Sequence, residues 1–286
     1  MTETDVRQDE QEWLRGLVAV RTVLMPVRFA ARAGDGEGDG LTSAEGNLGL
    51  MDVRFSPFNT WYEINSWWEG RFLERTVPGA FKRTINAHNA AQNEDAHRIR
   101  SMFNHGMDMQ IDQKLLGDVV RATEEKDSPL LVVDLWDTSY NRDLLPGLRS
   151  GAYGSSFMFQ TIRDSWVYEP EASDYNPEGL PERTVEETRT FEAGPVTWPA
   201  SPTASAGMRC QSATDAYYEL LARRDPSRVE GMRSRLTALR NAAPVRKDTA
   251  APTGPATAPT DPAPRHSGGL TPAQRREAMY SYLRKG

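Results

Sequence analysis

Apolar positions change their spacing several times along the chain, and each change marks an expected element. From Glu10 to Leu24 they recur at helical intervals (Trp13, Leu17, Val20, Val23, Leu24), which predicts one helix. Ala33–Gly46 is dominated by Gly, Asp and Glu and predicts a flexible loop. From Leu48 the texture turns aromatic and β-branched, so Leu50–Phe55 and Thr60–Trp67 are expected strands. Val77-Pro78-Gly79-Ala80-Phe81 then opens a short helix towards His88, with the proline near its first turn. Arg98–His105, Leu116–Thr123 and Leu130–Trp136 are further expected strands, the last two joined in a hairpin by the polar Glu124–Ser128. Thr138 can cap a helix through Leu148 that Gly151 stops. Ser155–Ile162, Thr184–Ala193 and Val196–Trp198 complete the strands, with a polar insertion at Glu169–Arg183. This order lacks the regular alternation of a doubly wound sheet and predicts an α+β, β-rich domain.

The last third changes character. Ala213–Arg224 and Pro226–Asn241 have helical periodicity and many charges, as solvated helices or a partner-binding arm would. Pro244–Pro264 is an Ala/Pro/Thr tract that cannot bury a core and is expected to be a disordered linker. Thr271, Pro272 and Gln274 form a helix start, leading into a basic helix with Met279, Tyr280 and Leu283 as an apolar patch. The expected organisation is residues 1–47, an N-terminal helix and flexible loop; 48–206, the β-rich domain; 207–243, a charged helical arm; 244–269, the linker; and 270–286, the basic C-terminal helix.

Composition narrows the function classes. The net charge of -6 argues against a nucleic-acid binder driven by bulk positive charge. One cysteine, Cys210, cannot close an internal disulfide, and with 4 histidines a Cys/His zinc site is not expected. No window has the uninterrupted apolar length of a membrane span, and the acidic start has no signal core. These features point to a soluble protein of a reducing compartment that spans no membrane.

Few residues are placed for chemistry. His105, in Phe103-Asn104-His105-Gly106, ends an expected strand before a glycine, where a side chain is presented at a sheet rim. Ser156, in Gly154-Ser155-Ser156-Phe157-Met158-Phe159, follows a helix stop and small residues that leave the backbone accessible. A serine hydroxyl needs a histidine to take its proton and a third polar group to hold that histidine's tautomer. Ser155 competes as the nucleophile. His97 reads as solvated and His88 as a surface or capping residue.

Four blocks taken together carry a resemblance. Val77-Pro78-Gly79-Ala80-Phe81-Lys82-Arg83-Thr84-Ile85, Phe103-Asn104-His105 with Leu116-Gly117, Arg149-Ser150-Gly151 leading to Ser155-Ser156-Phe157-Met158-Phe159, and Phe191-Glu192-Ala193-Gly194-Pro195-Val196 resemble the prohead maturation serine proteases of tailed bacteriophages. The resemblance implies a distorted β-barrel with surrounding helices, similar to the herpesvirus assembly proteases. It implies Ser156 as nucleophile, His105 as base and Glu192 as third member, with His88 or His97 as an alternative third member of the herpesvirus type. Oxyanion donors would come from the backbone near Gly154 or from Arg163. It also implies an endopeptidase that cuts scaffold or the scaffold-like part of the major capsid protein inside the procapsid, in the bacterial host cytoplasm, and cuts itself. That chemistry would need no metal or cofactor, and its partners would be the capsid or scaffold protein and further copies of itself. The alternative is a non-catalytic procapsid assembly protein with a protease-like domain.

Overall fold

The computed structural model describes residues 3–23, 25–31, 41–90, 98–197 and 213–242, all within the unit Met1–Pro244. The expected linker, the basic C-terminal helix, His97 and Trp198 lie outside the described residues.

Two sheets carry the structure. Strands β1 (Ala19–Val23), β8 (Gly154–Val167), β9 (Glu182–Val196), β5 (Gly70–Thr76) and β4 (Tyr62–Ser66) form a five-stranded sheet in that order. Strands β2 (Arg28–Ala31), β3 (Gly49–Arg54), β7 (Pro129–Leu135) and β6 (Gly117–Glu124) form a four-stranded one. All neighbours pair antiparallel except β5 and β9. The inner faces share one core, in which Met51, Val53, Phe55, Leu131 and Val133 meet Ile64, Phe72, Phe157, Phe159 and Val185. The α+β class matches expectation, but the barrel does not: the strands divide between two sheets with no closed circuit among the described residues.

The β6–β7 hairpin and helix α3 (Ser139–Ser150) are where local chemistry predicts them. Thr138 accepts the Asn141 amide at the start of α3, and Gly151 ends it in the left-handed region at φ 68°. Helix α2 (Lys82–Ala90) begins later than the Val77 signal because Val77–Phe81 forms a turn. There the Glu124 carboxylate accepts the amides of Gly79 and Phe81, both at 2.8 Å.

Three expectations are corrected. The helix expected over Glu10–Leu24 is helix α1 (Glu3–Gly16) followed by strand β1. Thr184–Ala193 and Val196–Trp198 are not separate strands: β9 runs through Gly194-Pro195, held against β8 from Val167↔Glu182 to Gly154↔Val196. Most of the expected strand Arg98–His105 reduces to bridges at Arg100 and Met102, followed by a 3-10 turn at Phe103–Gly106.

Helices α4 (Ala213–Arg224) and α5 (Pro226–Ala242) are not fully solvated. Tyr218, Val229 and Leu236 are buried in a second cluster with Leu14, Leu17 and Trp68. Thr214 Oγ1 accepts the Val20 amide, so α4 covers the open edge of β1.

A buried ion network ties these parts together. The Arg21 guanidinium contacts Glu69 at 2.7 Å and Glu74 at 2.8 Å; Arg183 contacts Glu74 and Asp164; Asp164 contacts Arg15. Arg21, Glu74 and Arg183 have no exposed surface. Burial acts to raise the Glu74 pKa, but Arg21 and Arg183 outweigh it and hold the carboxyl at about 2.

Candidate active site

Strand β8 has two faces, and its consecutive serines separate across them. Ser155 Oγ donates to the Arg54 carbonyl at 2.5 Å, towards the four-stranded sheet. Ser156 turns the other way. Across the ladder Ser156 stands opposite Gly194 and Met158 opposite Glu192, so Ser156 and Glu192 are diagonal neighbours on adjacent strands.

His105 bridges them. Its Nε2 is 2.7 Å from Ser156 Oγ and its Nδ1 is 2.6 Å from Glu192 Oε2. Glu192 Oε1 accepts the Met102 amide at 3.2 Å, which fixes the carboxylate from its other oxygen. With Nδ1–H directed at Glu192, the Nε2 lone pair faces the serine hydroxyl.

The segment carrying the imidazole is fastened to β9. The Arg100 amide donates to Phe191 O and the Ala193 amide to Arg100 O, each at 3.0 Å, which lays residues 100–102 parallel to that strand. The chain then turns sharply, with Asn104 at φ 48°, His105 at φ 59° and Gly106 at φ 67°. A left-handed backbone costs non-glycine residues energy, least for Asn and Asp. Asn104 also recovers hydrogen bonds: its Oδ1 accepts the Thr197 amide at 3.0 Å and its Nδ2 donates to Thr197 Oγ1 at 3.1 Å. The Asn-His-Gly context that marks a turn and the histidine of the relay are the same feature.

Gly194 makes this close approach possible. A Cβ there would stand 2.1 Å from the Met102 carbonyl oxygen and 2.8 Å from Glu192 Oε1. Gly194→Ala is expected to displace the 102–106 segment. The expected cost is about 1–3 kcal/mol of stability, and about 10²-fold in rate from the misplaced imidazole. Thermal melts and progress curves on one preparation check both.

Two contacts from β1 were not legible in the sequence. Thr22 Oγ1 lies 3.0 Å from Ser156 Oγ, and Ser156 Oγ donates to the Arg21 carbonyl at 2.9 Å. The serine therefore has one proton and three acceptors in reach, His105 Nε2, the Thr22 hydroxyl oxygen and the Arg21 carbonyl. Ser156 itself has no exposed surface and the His105 side chain is 10% exposed, so a substrate reaches Oγ only when the covering groups shift.

The other candidates sit elsewhere. His88 is not a surface residue: it is buried, with Nε2 donating to Val119 O at 3.2 Å and Nδ1 accepting the Ile99 amide at 3.1 Å. Burial holds its pKa below the ordinary value. The unfolded chain therefore binds a proton near pH 6.5 that the folded chain resists, and this contribution to stability is full above that pH and lost below it. The melting midpoint is expected to fall on acidification below about pH 6.5, with a flatter slope in His88→Gln. Arg163 pairs at the surface with Glu186 at 3.0 Å and Glu187 at 3.5 Å, and the Gly154 backbone pairs with Val196 in the ladder.

No curated protein and no solved structure matches the chain. A family model described as caudovirus prohead serine protease matches residues 44–217. That span is more than half of the chain and contains Ser156, His105 and Glu192, whereas Arg21 and Thr22 precede it. The chain belongs to the caudovirus prohead serine protease family.

Proposed function

We propose that the protein is a capsid-maturation endopeptidase using Ser156 as nucleophile, His105 as general base and acid, and Glu192 as the group that orients the imidazole. The observation that carries the reading is the unbroken relay from Ser156 Oγ through both His105 nitrogens to Glu192, at 2.7 and 2.6 Å. A bare serine is a weak nucleophile at neutral pH, and such a relay removes its proton as the bond forms.

In the first half-reaction Oγ attacks the scissile carbonyl while its proton passes to Nε2. The imidazolium is stabilised by the Glu192 carboxylate. Nε2 then protonates the leaving amine as the C–N bond breaks, leaving an acyl-Ser156. Water repeats the sequence, giving its proton to Nε2, and the free acid and Ser156 are restored.

The family indicates substrates among the capsid proteins of the procapsid interior. Scaffold or the scaffold-like part of the major capsid protein is the proposed substrate, and cuts within the chain itself belong to the same proposal. Among the described residues no helix is long and apolar enough to cross a membrane.

The test is coexpression of the wild-type or Ser156→Ala chain with the shell protein, followed by intact mass of both. Processing by the wild type alone is expected. Identical processing, or none, in both would favour the assembly-protein alternative, to which the enclosed position of Ser156 lends some support.

A further inference from the structure

On its face of the five-stranded sheet, Ser156 has Gly154 and Met158 as neighbours along β8, Gly194 across on β9 and Thr22 across on β1. Of these four, Thr22 alone carries a hydroxyl. It stands directly opposite Ser156 in the ladder, with Oγ1 3.0 Å from the serine Oγ. Thr22 also precedes residues 44–217, the span that the family model matches, so this neighbour lies outside the matched part of the chain.

We infer that the Thr22 hydroxyl takes part in the reaction, donating a hydrogen bond to Ser156 Oγ and steadying the negative charge that gathers there as His105 removes the serine proton. The inference rests on the protease reading of the same site and adds a residue to it.

The direction of the bond follows from the protons at hand. The Glu192 carboxylate accepts only, so at 2.6 Å it takes the Nδ1 proton and leaves Nε2 as an acceptor. The Arg21 carbonyl, 2.9 Å from Oγ, is likewise an acceptor only. If Ser156 gave its single proton to Thr22, both acceptors would face oxygen lone pairs at hydrogen-bond distance. With Thr22 as the donor, the serine proton is left for Nε2 or the Arg21 carbonyl, and one contact at most lacks a proton.

Charge makes the bond matter for rate. As Oγ attacks, the Arg21 carbonyl turns the negative end of its dipole towards the charged oxygen and opposes it. The Thr22 proton acts in the other direction and stays on Thr22 throughout, while the serine proton leaves to Nε2. Hydrogen bonds to a charged oxygen are stronger than those to a neutral one, so the interaction strengthens between the resting serine and the transition state. Thr22 is 7% exposed and Ser156 has no exposed surface, so bulk water is poorly placed to replace a lost donor.

The test compares the full wild-type chain with Thr22→Val, which keeps the branched shape suited to a strand and removes the donor, and Thr22→Ser, which keeps the donor. Each chain is reacted with a small fluorophosphonate. Oγ bonds to phosphorus, fluoride leaves and the serine proton passes to Nε2, so the nucleophilic step is read without a cleavage sequence. Intact mass against time and reagent concentration separates the limiting rate from the half-saturating concentration. Thr22→Val is expected to lower the limiting rate about 10- to 100-fold, with the half-saturating concentration unchanged. Thr22→Ser should return close to the wild-type rate, and melting midpoints show that both variants keep the fold. A Thr22→Val chain as fast as wild type, a loss confined to the half-saturating concentration, or a Thr22→Ser chain as slow as Thr22→Val would overturn the inference. Failure of the protease reading looks different: the wild type itself gains no adduct on Ser156, and the inference falls with it. Labelling of Ser156 that is indifferent to Thr22 removes this inference alone.

Discussion

Ser156→Ala and His105→Ala are each expected to lower turnover of the shell protein by about 10⁶-fold, and the double variant no further. In the proposed mechanism the two side chains act as one unit: without the imidazole the hydroxyl keeps its proton, and without the hydroxyl the imidazole has nothing to deprotonate. Their Oγ–Nε2 separation of 2.7 Å puts the transfer within one hydrogen bond. Glu192→Gln has a smaller but still large effect, about 10⁴-fold, because an amide cannot stabilise the imidazolium and favours the wrong tautomer. Additive losses in the double variant, or a Glu192→Gln chain close to wild type, would mean that the three groups do not work in series. Rates from intact-mass time courses separate these outcomes.

Arg21→Met is expected to cost about 3–5 kcal/mol at neutral pH, as removing one member of a buried ion pair does. Against a typical total stability of about 5–15 kcal/mol, that is a large share. Arg21 has no exposed surface and meets two carboxylates, Glu69 and Glu74. Burial alone would lower the guanidinium pKa, but those carboxylates hold it raised well above its ordinary value. In the variant Glu69 loses the Arg21 guanidinium, and Glu74 keeps Arg183 and the hydrogen bond from the Tyr62 hydroxyl. The Glu74 pKa then rises, the folded variant takes up a proton that the wild type refuses, and the deficit shrinks as pH falls from neutral towards about 4.5. The wild type behaves oppositely: with the Glu74 pKa at about 2, its contribution is full above the unfolded value near 4.5 and lost as pH falls through 2. Denaturant melts at neutral and mildly acidic pH read the sign directly. Activity should fall with stability, since the Arg21 carbonyl and Thr22 side chain both contact Ser156 Oγ.

Much of the β-rich part was legible because local signals and tertiary packing agree there. The Thr138 cap and Gly151 stop of α3, and the polar turn between β6 and β7, are decided within a few residues. The N-terminal strand was not legible. Leu17, Val20 and Val23 fit helical spacing, and all five residues of β1 are buried, so the alternation that marks a strand is missing. A fully buried arginine in its centre adds a polar position where a buried strand should have none; only Glu69, Glu74 and Thr214, distant in sequence, make it tolerable. The same limit hid the role of α4 and α5, whose charged composition suggests solvent exposure while Tyr218, Val229 and Leu236 anchor them.

For the site, residue context offered Ser156 and His105 as candidates, and Glu192 entered through the resemblance. The resemblance favoured Ser156 over Ser155, and the sheet register gives the physical distinction: the two side chains lie on opposite faces of β8, with Ser156 towards the 3-10 turn. Nothing in the sequence marks Thr22 or the Arg21 carbonyl, since they reach the serine only through the pairing Thr22↔Ser156.

The most direct test of the account is covalent labelling of the purified chain with a small fluorophosphonate, read by intact mass and peptide mapping. The reagent requires a serine made nucleophilic by its neighbours but no knowledge of the cleavage sequence. The account predicts a single adduct on Ser156, absent from Ser156→Ala and strongly slowed in His105→Ala. An unlabelled wild type, or an adduct on Ser155 or another residue that forms equally fast in all three chains, would contradict it.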